Sequence, residues 1–232
     1  YEMKFAASRF MHASGGIRYH LRAIRYRQTL WTPFRAALAS WLDCWRPPCR
    51  RLVVIGPSGG HTLPAGLFAR FDDVTALEPD PVARVILRRR QADCKLRFES
   101  FDCLSNAAGM GELAGRFGDR ALLFCNVLGQ VGCPDPDGWS ECLATRLSGC
   151  HWASWHDVIS TNRQPMRTDP VEMAATQSLE SILGRFWPGG ELPLIDHGTL
   201  ALGRDGPHAY ATWALTPTAN HLIEWCSHAA RP

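Results

Sequence analysis

Hydrophobic and polar positions alternate along the chain in two different rhythms. Over residues 17 to 31 (IRYHLRAIRYRQTLW) Ile17, Leu21, Ile24 and Trp31 fall near one face of a helix, with Arg18, Arg22 and Arg25 near another. Thr32 then Pro33 reads as an N-cap followed by a first-turn proline. A second helix is therefore predicted, carrying Phe34, Leu38, Trp41, Leu42 and Trp45 until Pro47 and Pro48 stop it. From residue 51 the rhythm changes to short β-rich runs, LVVI, VTAL, LRFESF, ALLFCNV and WASWHDVI, with helical patterns between them near 64–71, 82–92, 106–117 and 137–147. Such alternation predicts βαβ crossovers and a doubly wound α/β fold whose sheet is mostly parallel. Residues 168–187 predict one long helix. TLALG, the turn RDGP and HAYATWAL then predict a C-terminal antiparallel hairpin over 199–215. The expected organisation is an N-terminal helical lid or cap, residues 1–50, ahead of one α/β domain, residues 51–232.

Composition narrows the class. Of 232 residues, 46% are hydrophobic and 20% charged, which suits a soluble globular chain with a sizeable core. No apolar run is long enough for a membrane span, and the opening YEMKFAASRF does not read as a secretory signal. A net charge of +3 is too small to point to nucleic acid. The nine cysteines are an odd number and include no CxxC pair, so they read as reduced thiols in a cytoplasmic protein, with no structural metal expected.

The chemistry begins at RLVVIGPSGGHTLPAG, residues 51–66, where an apolar strand ends in a glycine-rich loop. Ligands of open α/β sheets sit beyond the carboxyl ends of the strands, and small residues let a ligand approach the main chain there. A Walker loop is excluded because no lysine follows the turn, and GxGxxG is matched only in degraded form by Gly56, Ser58 and His61. Glu78 closes the second predicted strand, where a carboxylate can accept both hydroxyls of a ribose. Asp102 closes the third, where one can accept from an adenine amino group.

A glycine loop and two acids on three successive strand ends resemble the class I S-adenosylmethionine-dependent methyltransferases, whose seven-stranded sheet ends in a reversed hairpin. The resemblance covers roughly residues 51 to 217. It implies a fold of that type, S-adenosylmethionine as cofactor and methyl transfer to a small-molecule acceptor. Gly56, Pro57, Ser58 and Gly60 would line the methionine and ribose end, Glu78 with Pro79 the ribose, and Asp102 with Cys103 the adenine. Asn126, Leu128 and Gly129 would border the transferred methyl. Two family positions differ: Val54 stands where an acid is usual, and Ser58 where the middle glycine is usual.

Methyl transfer needs an aligned nucleophile and, where that nucleophile carries a proton, a base. His156 with neighbouring Asp157, at the end of the fifth predicted strand, leads the candidates; His197 and His61 follow. If the basic helix is a lid, Tyr19, His20, Arg22 and Tyr26 would contact the substrate, with His197 beside them; if not, its arginines form a solvated face. Two other functions fit the same pattern. One is an aminopropyl transferase on this scaffold; the other is a non-catalytic module that keeps the fold to bind a protein partner.

Overall fold

The computed structural model describes residues 16–92, 94–106, 108–135, 137–174, 177–203 and 208–230. Two helices, α1 (Gly16–Tyr26) and α2 (Thr32–Cys44), precede the sheet. The first four strands are β1 (Arg51–Ile55), β2 (Asp73–Leu77), β3 (Leu96–Glu99) and β4 (Ala121–Cys125). Between them lie α3 (Pro81–Arg90) and α4 (Gly109–Phe117), and α5 (Gly138–Arg146) follows β4. The rest comprises β5 (Trp152–Thr161), β6 (Val171–Met173), α6 (Leu179–Phe186), β7 (Leu194–Asp196), β8 (His208–Thr216) and β9 (Ala219–His228).

The described strands form one nine-stranded mixed sheet in the order β3-β2-β1-β4-β5-β9-β8-β6, with β7 paired to β5. β1 to β5 run parallel to one another, whereas β9 runs antiparallel to both β5 and β8. This is the doubly wound, mostly parallel α/β sheet with a C-terminal antiparallel hairpin that the sequence predicts, enlarged by the two three-residue strands β6 and β7. Beyond the exposed Arg51 at its start, β1 is apolar like β4, as strands covered on both faces must be: Leu52 to Ile55 and Ala121 to Cys125 are all buried.

One face carries α1, α2 and α3 through Tyr19, Ala23, Phe34, Leu38, Leu42 and Leu87. The other carries α4 and α5 through Met110, Leu113, Phe117, Trp139 and Leu143, while α6 covers the hairpin half with Ile182 and Phe186. No helix among the described residues is long and apolar enough to cross a membrane.

Four expectations are corrected. Residues 64–71 do not form an α-helix: Gly66 takes φ +82°, a left-handed conformation that ends any helix, and only short 3₁₀ turns over Ser58–Gly60 and Phe68–Arg70 remain. The long helix over 168–187 is broken, because Pro170 disfavours helix at the residue before it and β6 follows; among the described residues the next helix is Leu179–Phe186, where the Ser178 hydroxyl accepts the Ser181 N–H. The hairpin lies one strand later than expected. β8 pairs with β9 across a turn at Pro217–Thr218, and 199–203 is loop; the expected RDGP turn, residues 204–207, lies outside the described residues, as do residues 1–15. Finally, α1 buries Tyr19, His20 and Ala23, leaving Ile17, Leu21 and Ile24 exposed at 54, 60 and 76%. Its partner is an aromatic and histidine surface, which outweighs aliphatic periodicity.

The N-terminal helices share their core with the sheet. Trp31 is fully buried, stacks on Tyr19, meets Trp213 edge-on at 5.0 Å between ring centroids and donates its indole N–H to Leu215 O. Phe34 stacks on the same Trp213. Truncating Trp31 to Ala is therefore expected to cost about 3–5 kcal/mol of global stability rather than to free α1 alone. A single cooperative urea transition with a lowered midpoint would show this. A midpoint matching the wild type would mean that the helices pack independently of the sheet.

Candidate functional site

Strand order reverses between β1 and β4, because the chain leaves β1 toward β2 on one side and β4 toward β5 on the other. A crevice opens at such a point. Gly56 ends β1 with φ +63° and donates its N–H to Leu77 O; a Cβ there would lie 2.0 Å from Val127 Cγ1, so only glycine lets the two loops close on each other. Ser58 holds φ +43°, a position natural to glycine, and its N–H donates to Glu78 Oε2 at 2.8 Å. The other Glu78 oxygen accepts from Asp80 N–H at 3.0 Å.

Glu78 is 5% exposed, and burial raises its carboxyl pKa above the ordinary range against the pull of these two N–H groups. Gly60 donates to Pro57 O. The N–H groups of Gly56, Ser58 and Gly60 are thus all engaged within the protein, so the loop offers a ligand shape more than donors.

A cavity of about 50 Å³ remains at the crevice, bordered by Tyr19, Gly56, Ser58, Asn126, Trp155 and Trp213. Its cover is α1. Tyr19 reaches Thr62, and burial pushes its phenol pKa far up. His20 Nδ1 lies 3.0 Å from His61 Nε2, and His20 Nε2 is 3.7 Å from Asp80 Oδ2. Burial, reinforced by His20 and by Arg90, Arg27 and Arg35, pushes His61 down to about 3. Burial lowers His20 as well, against the pull of Asp80. The closing contact is therefore between neutral imidazoles, one donating and one accepting.

The expected site residues divide by place. Gly56, Pro57, Ser58 and Asn126 line the cavity with Tyr19, and Glu78 stands behind Ser58. Pro79 is exposed, and so is Asp102, which accepts from Leu104 N–H beside a buried Cys103. Leu128 is core, and Gly129 packs on Asp157, whose carbonyl oxygen would be 2.5 Å from a Cβ. Arg22 and Tyr26 are half-buried on α1, and Arg25 lies over the Tyr26 ring.

His156 does not face the crevice as expected. Side chains alternate along β5, and the face that carries Trp155 looks to the cavity while the His156 ring points the other way. It is fully buried, with Nδ1 3.0 Å from Ser154 Oγ and Nε2 3.0 Å from Thr199 O, in a cluster with Glu224 and His208.

Asp157 does face the Asn126 side. Asn126, at φ +54°, donates through Nδ2 to Asp157 Oδ2 at 3.1 Å and accepts the Asp157 N–H at 2.8 Å. His221 Nδ1 stands 3.2 Å from the other oxygen, Oδ1. Burial opposes ionisation of Asp157, yet His221, His197 and Asn126 outweigh it and hold the carboxyl below its ordinary range. Sequence reasoning missed Trp155, Trp213 and His221. Period-two alternation in WASWHDVI would have placed Trp155 with Asp157, whereas Trp213 and His221 enter only through hairpin pairing.

No family model matches the chain, and no curated protein matches it. Solved structures do. The glycopeptide N-methyltransferase MtfA, complexed with S-adenosyl-L-methionine, is 13% identical, with 83% of this chain and 92% of that one covered and a TM-score of 0.40. CalS10, an amino pentose methyltransferase from Micromonospora echinaspora, is 14% identical over 95% of this chain and 85% of that one, with a TM-score of 0.36. An S-adenosylmethionine-dependent methyltransferase from Mesorhizobium loti is 13% identical over 78% and 72%, also at 0.36. At such identities and TM-scores the likenesses establish neither family nor activity.

The neutral histidine contact makes the α1 cover sensitive to acid. Once α1 lifts, each ring regains a pKa near 6.5, about the unperturbed value, so the open state takes up protons that the closed state refuses. Closure is fully present above that pH and is lost progressively as pH falls toward about 3. Hydrogen exchange of the α1 amides, corrected for intrinsic rate, is expected to report up to about tenfold more opening per pH unit for each proton taken up. Exchange protection that stays constant between neutral pH and pH 5 would show that the two imidazoles do not hold the cover.

Proposed function

We propose that the chain binds S-adenosylmethionine at the β1–β4 crevice and transfers its methyl group to a small-molecule acceptor. The observation that carries this reading is the Glu78 carboxylate. It is buried at the carboxyl end of β2 and tied to Ser58 of the glycine loop, which lines the cavity at the point where strand order reverses. Each Glu78 oxygen accepts one backbone N–H and keeps a lone pair, which suits the vicinal hydroxyls of a ribose. Gly56, Ser58 and Gly60 supply a bare wall for the methionine end, Asp102 and Cys103 take the adenine end, and the acceptor approaches from the Asn126–Asp157 side. When bound, the cofactor supplies an electrophilic sulfonium methyl; the chain's own part is to align the acceptor and exclude water. His156, turned away from the crevice, has no role in this reading.

The closed cavity of about 50 Å³ is far smaller than the roughly 300 Å³ or more of ordinary small-molecule sites, so admission requires α1 to lift. That same small cavity favours a second reading, in which the crevice stays closed and the fold serves as a partner-binding module. Calorimetry with S-adenosylhomocysteine separates the two. The wild type is expected to bind it in preference to NAD, and Glu78→Ala to bind about ten- to a thousandfold more weakly with its fold intact by circular dichroism. No binding to the wild type, or tighter binding of NAD, would refute the methyltransferase reading. Equal binding by both proteins would move the ribose contact away from Glu78.

A further inference from the structure

Three strands bring two imidazoles and a carboxylate together on the crevice side of the sheet. Asp157 belongs to β5, His197 follows β7 directly, and His221 belongs to β9. One ligand atom of each lies within 4.8 Å of those of the other two. Asp157 Oδ1, His197 Nε2 and His221 Nδ1 are all buried atoms without a well-formed hydrogen bond, although the first and last approach to 3.2 Å. Asp157 itself is 3% exposed. The Asp157–His221 ion pair meets part of the need of these converging buried atoms, and His197 Nε2 is left without a hydrogen-bond partner among the described residues; one ligand held between them would satisfy all three.

The scaffold fixes the three residues independently of one another. The pairing of β5 with β9 shifts register between Asp157 and Ile159, an irregularity of the kind that re-aims side chains next to sites. The His197 N–H donates to Val158 O at 2.9 Å, seating that residue against the bulge. Asn126 grips the second Asp157 oxygen and the Asp157 N–H, and the Thr199 hydroxyl donates to Asp157 O, so the carboxylate has one oxygen held and one presented. That is the arrangement by which outer residues orient a metal ligand.

We infer that Asp157, His197 and His221 bind one divalent first-row transition metal ion, with coordination positions left open toward the crevice. Two imidazoles and one carboxylate form the donor set used for catalytic zinc and non-haem iron, in which an exogenous oxygen completes the shell. The His208–Glu224–Cys226 group across the sheet also has metal-ligand spacing. There, however, Glu224 already accepts from His208 and from the N–H groups of Ala201 and Leu202, so its carboxylate is spent on holding the loop. Asn126 borders both the crevice cavity and Asp157. A metal here would therefore sit beside the proposed cofactor site, placed to hold an oxygen-bearing acceptor. The metal site itself does not depend on the methyltransferase reading.

The test uses the whole chain and Co²⁺ as probe, with Zn²⁺ as competitor. One equivalent of Co²⁺ is expected to bind with visible d–d absorption and no thiolate charge-transfer band, and Zn²⁺ to displace it. His197→Ala and His221→Ala should each abolish that spectrum, and Asn126→Ala should weaken binding about 10- to 100-fold by releasing Asp157. Circular dichroism checks the fold, and two independent ligand variants guard against one that misfolds. A wild type that binds no Co²⁺, histidine variants that retain its spectrum, or a thiolate band placing the ion at Cys226 would each overturn the inference.

Discussion

The packing of Trp31 against Trp213 is the constraint on which the remaining architecture depends. It joins the segment before β1 to β8 near the far end of the sheet, and the indole N–H fixes the angle by donating to Leu215 O. Tyr19 stacks on the free face of Trp31, so the position of α1 over the crevice is inherited from this contact. Phe34 and Trp155 extend the cluster across the strand ends. Large rings with few rotamers hold such a contact at low entropic cost, which suits a chain whose first helix has little aliphatic surface facing inward. The floor and the roof of the crevice are thus parts of a single core.

Much of the sheet was legible in the sequence because strands buried on both faces announce themselves as largely apolar runs; β1 and β2 fall where LVVI and VTAL place them, and β4 covers the first five residues of ALLFCNV. Glu78 was legible for the same reason, as the first charge after such a run. Where one residue changes the backbone, composition misled: Gly66 and Pro170 interrupt stretches whose other residues favour helix. The second hairpin strand was hidden because ANHLIEWCSH is buried on both faces while carrying Asn220 and Glu224, which gives it no clean alternation. The orientation of α1 could not be read locally, since His20 is buried against His61 and Asp80, forty-one and sixty positions later.

The same distinction separates the legible from the illegible part of the candidate site. Gly56, Ser58 and Asn126 stand next to strand ends and inherit their place from the sheet. His221 gains its place beside Asp157 through the register of β5 on β9, a fact about pairing across sixty-odd residues that no local spacing encodes. Strand alternation also explains why His156 and Asp157, adjacent in sequence, belong to two polar clusters on opposite faces. One cluster is closed by Glu224; the other is held by Asn126 and His221.

The absence of a helix after the glycine loop has an electrostatic consequence. In nucleotide-binding sheets the helix that follows the first strand points its positive macrodipole end and its free N–H groups at a phosphate. Here the chain makes a single 3₁₀ turn over Ser58–Gly60 and goes on through Pro64 and Gly66 without building a dipole. The next helix, α3, has its N-terminus capped by the chain's own Asp80, which accepts the Val82 N–H. The crevice therefore sets no helix-dipole field against its buried carboxylate, and the positive charge that bears on its cover comes from side chains instead, those of Arg90, Arg27 and Arg35 around His61.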